Sequence, residues 1–193
     1  MCKKRAQDDC PCLQDPTVKP SKARVACKIE GIMGIKKTET FTVDQTSTMN
    51  FDNEADLIAH YVKQGWEHIE DDGFIGLIGP MFQRKVDTKL HFCFPTLQKH
   101  KNRNNVLQGG ALLTFCDRVL GVVARAESST PKTATIQLNM DFIHSIKIGE
   151  VVEACPVLVK DSKHLLFVKG TFYVKGVVVG EASGIWKKIK QIN

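Results

Sequence analysis

The sequence has no apolar run approaching the roughly 18 residues that a membrane span requires, so a bilayer helix is not expected. Its opening, MCKKRAQDDCPC, has no apolar segment behind the basic residues, and the acidic pair argues against a transit peptide. A cytoplasmic protein is the resulting expectation, with its seven cysteines as reduced thiols. Paired C-x2-C knuckles are also missing: Cys2, Cys10, Cys12 and Cys27 form a C-x-C with irregular gaps, which does not fit a structural zinc site. Nor do His60, His68, His91, His144 and His164 show the H-x3-H spacing of a metal pair, so no metal or other cofactor is expected. Basic runs interleaved with aromatics are absent as well, which argues against single-stranded nucleic acid as a partner. The formal charge of +6 is instead scattered, and it suits an anionic small ligand such as one carrying phosphates.

What the chain does have fits one domain with an extension, given its 193 residues. Residues 1–50 are poorly periodic, with Pro11, Pro16 and Pro20 among polar residues, and read as a flexible extension. The folded domain is expected over 51–193. Asp52 or Asn53 can cap a helix on which Leu57, Ile58, Tyr61, Val62, Trp66 and Ile69 recur at helical spacing up to the DDG sequence. FIGLIGPMFQ and TKLHFCFP read as strands, the second alternating Leu90, Phe92 and Phe94 on one side. After the loop ESSTPK come four more strand candidates: TATIQLNMDFI, EVVEACPVLVK, HLLFVKGTFYV and VVVGEASGIWKK, the last two joined by Lys175-Gly176. Their short connections imply antiparallel neighbours.

Between the two strand groups lies NVLQGGALLTFCDRVLGVVARA, Asn105 to Ala126, a helix apolar almost all round and so expected to be buried on every side. An antiparallel sheet curled around it would make an α+β domain. Asp117 sits in its middle. A buried carboxylate is costly, so this one must be partnered, titrate abnormally, or line a pocket that water and ligand reach. Arg118 and Arg125 are the nearby cations, although adjacent helical positions point apart. Cys116 beside it reads as a core thiol rather than a nucleophile.

The pattern H-x-N-x5-QGG-x6-D, followed by TATIQLNMDFI…IGE and a strand ending in GIWKK, resembles the hotdog-fold thioesterases, specifically the PaaI-type acyl-CoA thioesterases. The resemblance runs from about Phe74 to Lys188. It implies a hotdog fold, an antiparallel sheet wrapped around a long central helix, here with an extra N-terminal helix, in dimers whose sheets join and that often form tetramers. It further implies that Asp117 is the catalytic carboxylate and that the Gly109 N–H polarises the thioester carbonyl. Asn102 would position water or the acyl group, and Thr135 would place a hydroxyl near the carboxylate. Gln108, Gly110 and His100 would contact substrate or hold the loop around it; Gln108 stands where the family most often has His, and it cannot titrate.

The chemistry is coherent with those residue types. Thioester hydrolysis builds charge on the carbonyl oxygen, which unsatisfied N–H groups at a helix N-terminus can receive, and glycine lets substrate approach closely. Asp117 can act as general base, or attack to give an anhydride that water resolves. Gly109 and Asp117 are eight residues apart, about 12 Å along one helix, so both can reach one carbonyl only if they come from two chains. A catalytically silent hotdog protein that binds acyl-CoA is the alternative, and a hotdog hydratase, which would need a His beside Asp117, is a third reading.

Overall fold

The computed structural model describes residues 53–128 and 130–189, so the reading of 1–50 and of its cysteines falls outside the described residues. Helix α1 spans Glu54–Lys63 and is capped by Asn53, whose side-chain oxygen accepts the Asp56 N–H at 2.9 Å. It is shorter than the apolar spacing predicts. Gly65, at φ 81°, turns the chain, and Trp66 leads into a short strand β1, Glu67–His68. FIGLIGPMFQ is likewise not one strand. Phe74–Ile78 forms helix α2, and only Phe82–Val86 is strand β2. Five apolar residues are too few for periodicity to separate helix from strand; here the Gly73 N–H on Asp71 Oδ1 turns the chain into α2.

Strand β3 is Lys89–Pro95; a 3-10 turn at Gln98–His100 then leads to helix α3, Gly109–Ser128. Strands β4 (Thr133–Phe142), β5 (Val151–Ala154), β6 (Val157–Asp161), β7 (Leu165–Val174) and β8 (Val177–Lys188) complete the chain. EVVEACPVLVK is split into β5 and β6 at Cys155-Pro156, where proline has no N–H for the ladder. All pairings are antiparallel, in the order β1-β2-β3-β5-β7-β8-β4, with β6 also on β7. The β7–β8 hairpin turns at Lys175 and Gly176, both at positive φ as a tight two-residue turn requires.

The sheet curls over α3. Leu166, Val168 and Phe172 of β7 and Val179, Ala182 and Trp186 of β8 share one core with Leu112, Phe115, Val119 and Leu120 of α3. Gly170 admits a close approach: a Cβ there would stand 3.2 Å from Leu120 Cδ1. Phe92 and Phe94 face this core, whereas Cys93 belongs to a second cluster under α1 with Leu57, Tyr61, Trp66, Phe82 and Val151. The helix is not buried on every side. Gly110 and Leu113 are exposed and Thr114, Asp117 and Arg118 only half-buried, because a single sheet covers only the helix face turned toward it.

Candidate active site

Helix α3 begins where backbone bonding changes hands. The Gln108 N–H donates to the His100 carbonyl at 2.8 Å, and the Gln108 carbonyl accepts the Ala111 and Leu112 N–H groups. The Gly110 N–H donates to Gln108 Oε1. Among the described residues the Gly109 N–H donates to nothing, so it is the open donor at the positive end of a 20-residue helix. Its neighbour is aromatic: a Cβ on Gly109 would lie 3.4 Å from the Phe142 ring.

The segment before the helix is held by side chains. Asn102 Oδ1 accepts the Asn104 N–H at 2.8 Å and the Val106 N–H at 3.4 Å, while its own N–H donates to the Val106 carbonyl. In this state the Asn102 oxygen shapes the loop beside Gly109. His100 is buried against Phe94, with ring centroids 4.8 Å apart. Its Nδ1 accepts the Leu97 N–H at 2.9 Å, so the ring is the Nε2–H tautomer and donates to the Ile78 carbonyl at 2.6 Å. Burial holds its pKa below the ordinary histidine value. His100 is thus a neutral brace between α2 and the loop, with both nitrogens occupied.

Two turns along α3, Asp117 is half-buried and accepts the Thr135 hydroxyl on Oδ1 at 3.0 Å. Among the described residues it forms no ion pair; Arg118 reaches toward Asp71 instead, at 3.9 Å. That leaves Oδ2 for solvent or substrate. Burial and the Asp117 charge push the Cys116 thiol up to about 12, which keeps it protonated at neutral pH and unsuited as a nucleophile.

The chain therefore assembles two groups. Gln108, Gly109, Gly110, His100 and Asn102 surround the helix start, and Asp117 with Thr135 lies about 12 Å further along the axis. Strand β4 runs beside both. Thr135, Leu138, Met140 and Phe142 pair with Trp186, Gly184, Ala182 and Gly180 of β8, which puts them on the helix side. Phe142 accompanies Gly109 and Thr135 accompanies Asp117. Among the described residues the other edge of β4 is unpaired, and Ile136 and Phe142 on this strand are exposed, as is Ile143 just beyond it. Phe142 was legible as a strand residue by its alternation, but its place over Gly109 needs the helix–strand packing.

No curated protein matches the chain. The thioesterase superfamily matches residues 104–181, which include Gln108, Gly109, Gly110, Asp117 and Thr135 and begin just after His100 and Asn102. Zebra fish thioesterase superfamily member 2 is 18% identical, covers 62% of this chain and 89% of its own, and superposes with a TM-score of 0.56. A mutant of the phenylacetic acid degradation protein PaaI from Thermus thermophilus is 17% identical over 61% of this chain and 100% of its own, at 0.55. A Streptococcus mutans protein bound to acetyl CoA is 17% identical over 65% and 98%, at 0.56. Likeness at these identities establishes the fold, the sheet-wrapped helix expected from the sequence. The chain is a hotdog-fold protein whose residues 104–181 carry the thioesterase superfamily pattern.

Proposed function

We propose that the protein is an acyl-CoA thioesterase whose site is completed across a homodimer. The carrying observation is the separation of the open Gly109 N–H from the Thr135-bonded Asp117, with both groups flanking the same unpaired strand edge. An exposed edge strand is a template for another strand. If two β4 edges pair antiparallel about a two-fold axis between Leu138 and Asn139, Thr135 stands opposite the partner's Phe142. Asp117 then faces the partner's Gly109, and two equivalent sites follow from the symmetry. Some of the solved relatives hold acetyl CoA or coenzyme A, which supports this ligand class.

In the reaction, the Gly109 N–H stabilises the oxygen of the thioester carbonyl as it becomes negative. The partner's Asp117, steadied by Thr135 through one oxygen, takes a proton from water with the other. The hydroxide adds to the carbonyl carbon, the tetrahedral intermediate expels CoA as thiolate, and the proton on Asp117 returns to the thiolate sulfur. Direct attack by Asp117 would give an anhydride instead; single turnover in H2 18O separates the routes, since only the anhydride leaves label in the protein carboxylate. Acyl-CoA thioesters of differing chain length, with the freed thiol detected, test the activity itself. Asp117→Asn should lower turnover by about 10²-fold or more. Near-normal turnover by a folded Asp117→Asn protein would remove this residue from the chemistry.

A further inference from the structure

The geometry points to the Gln108 carboxamide as the second donor of the oxyanion site, a role that rests on the thioesterase reading above. A carboxamide has an acceptor end and a donor end. Because the Gly110 N–H donates to Oε1, the acceptor end is turned onto the first turn of α3. The remaining end is Nε2, with two N–H donors; Gln108 is exposed, and among the described residues Nε2 has no hydrogen-bond partner. Nε2 stays close to the glycine pair, 3.7 Å from where a Gly110 Cβ would stand.

The same contact consumes the Gly110 N–H, so of the two glycine donors only that of Gly109 is open. One backbone donor has been exchanged for a side-chain donor at the mouth of the helix. Accepting a hydrogen bond at Oε1 also polarises the amide, which makes Nε2–H a better donor. Gln108 thus relays the Gly110 N–H outward to the substrate oxygen. In this proposal the Gly109 N–H and a Gln108 Nε2–H both donate to the thioester carbonyl oxygen.

Two substitutions separate this role from simple helix capping. Gln108→Glu keeps the shape and the acceptor on the Gly110 N–H, and a carboxylate at a helix N-terminus maintains stability. Its free end, however, is an oxygen that repels the developing oxyanion, so kcat should fall by about 10²- to 10³-fold with KM little changed. Gln108→Ala loses the relay but releases the Gly110 N–H to serve directly, so kcat should stay within about tenfold of the wild type. The proposal therefore requires the Ala variant to outperform the Glu variant. If Gln108 only caps the helix, the order reverses, and a Glu variant as active as the wild type overturns the donor role.

If wild-type protein releases CoA from no thioester, the thioesterase reading fails separately, and a ligand spectrum decides Gln108. The probe is a carbonyl-13C ketone analogue of acetyl-CoA with CH2 in place of sulfur. A lowered carbonyl infrared frequency on the wild-type and Ala proteins, lost on the Glu variant, supports the donor. Equal frequencies on the wild-type and Glu proteins, or no binding, overturn it.

Discussion

Mixing two inactive variants tests the shared site most directly. The first is Asp117→Asn, which keeps the side-chain volume and removes the base. The second is Gly109→Val. A Cβ at Gly109 already meets the Phe142 ring at 3.4 and 3.5 Å, so the two added methyl groups press on that ring and cover the open N–H. Along α3 the two positions are about 12 Å apart, too far for one carbonyl to touch both within a chain. In a mixed dimer with cross-chain sites, one site carries both lesions and the other carries neither. Each heterodimer should then recover about half of wild-type activity, and random assortment of co-expressed chains about a quarter. The heterodimer can be isolated with two affinity tags and assayed for thiol release against both parents. A heterodimer as inactive as its parents, with both variants folded and paired, would refute the cross-chain site, because sites built within one chain would each carry one lesion.

Thr135→Val removes the hydroxyl that holds Asp117 Oδ1, and turnover should fall by about tenfold, the scale of one hydrogen bond to a charged group; unchanged kcat would detach Thr135 from the site. His100 and His91 both have pKa values lowered by burial below the ordinary 6.5. Below that pH the unfolded chain binds more protons than the folded one, so the melting temperature should drop as the pH falls below about 6.5 and be insensitive to these groups above. The His100→Gln protein should show a shallower fall, and a melting temperature that rises on acidification would contradict the assignment. Gly184→Ala would bring a Cβ to 2.5 Å from the Trp186 ring and 2.8 Å from the Gln137 carbonyl. It should cost about 1–3 kcal/mol by urea denaturation, and a neutral result would mean that the β4–β8 contact yields easily. Deleting residues 1–45 should leave acyl-CoA turnover within a few fold, since their patterning is poor and the superfamily match begins at 104; lost activity in a dimer still intact would assign that segment to the pocket.

Local chemistry wrote much of this fold into the sequence. The strands β7 and β8, the Lys175-Gly176 turn, a helix cap at Asp52 or Asn53 and the Gly-started α3 depend on neighbours within a few residues, and the structure has each, with Asn53 as the cap. Reading failed where a short apolar run could be either element, as at Phe74–Ile78, or where one proline divided a strand, as at Pro156. The candidate site was legible as residue types at fixed spacing: a Gly pair, a carboxylate two turns on, a hydroxyl on a later strand. Its arrangement was not. That Arg118 reaches toward Asp71 rather than pairing with Asp117, that His100 is a buried neutral brace, and that Phe142 covers Gly109 all depend on contacts between residues 22 to 47 positions apart. Such contacts are set when the sheet closes over α3, because burial and partner choice are properties of surfaces brought together rather than of the segments that supply them.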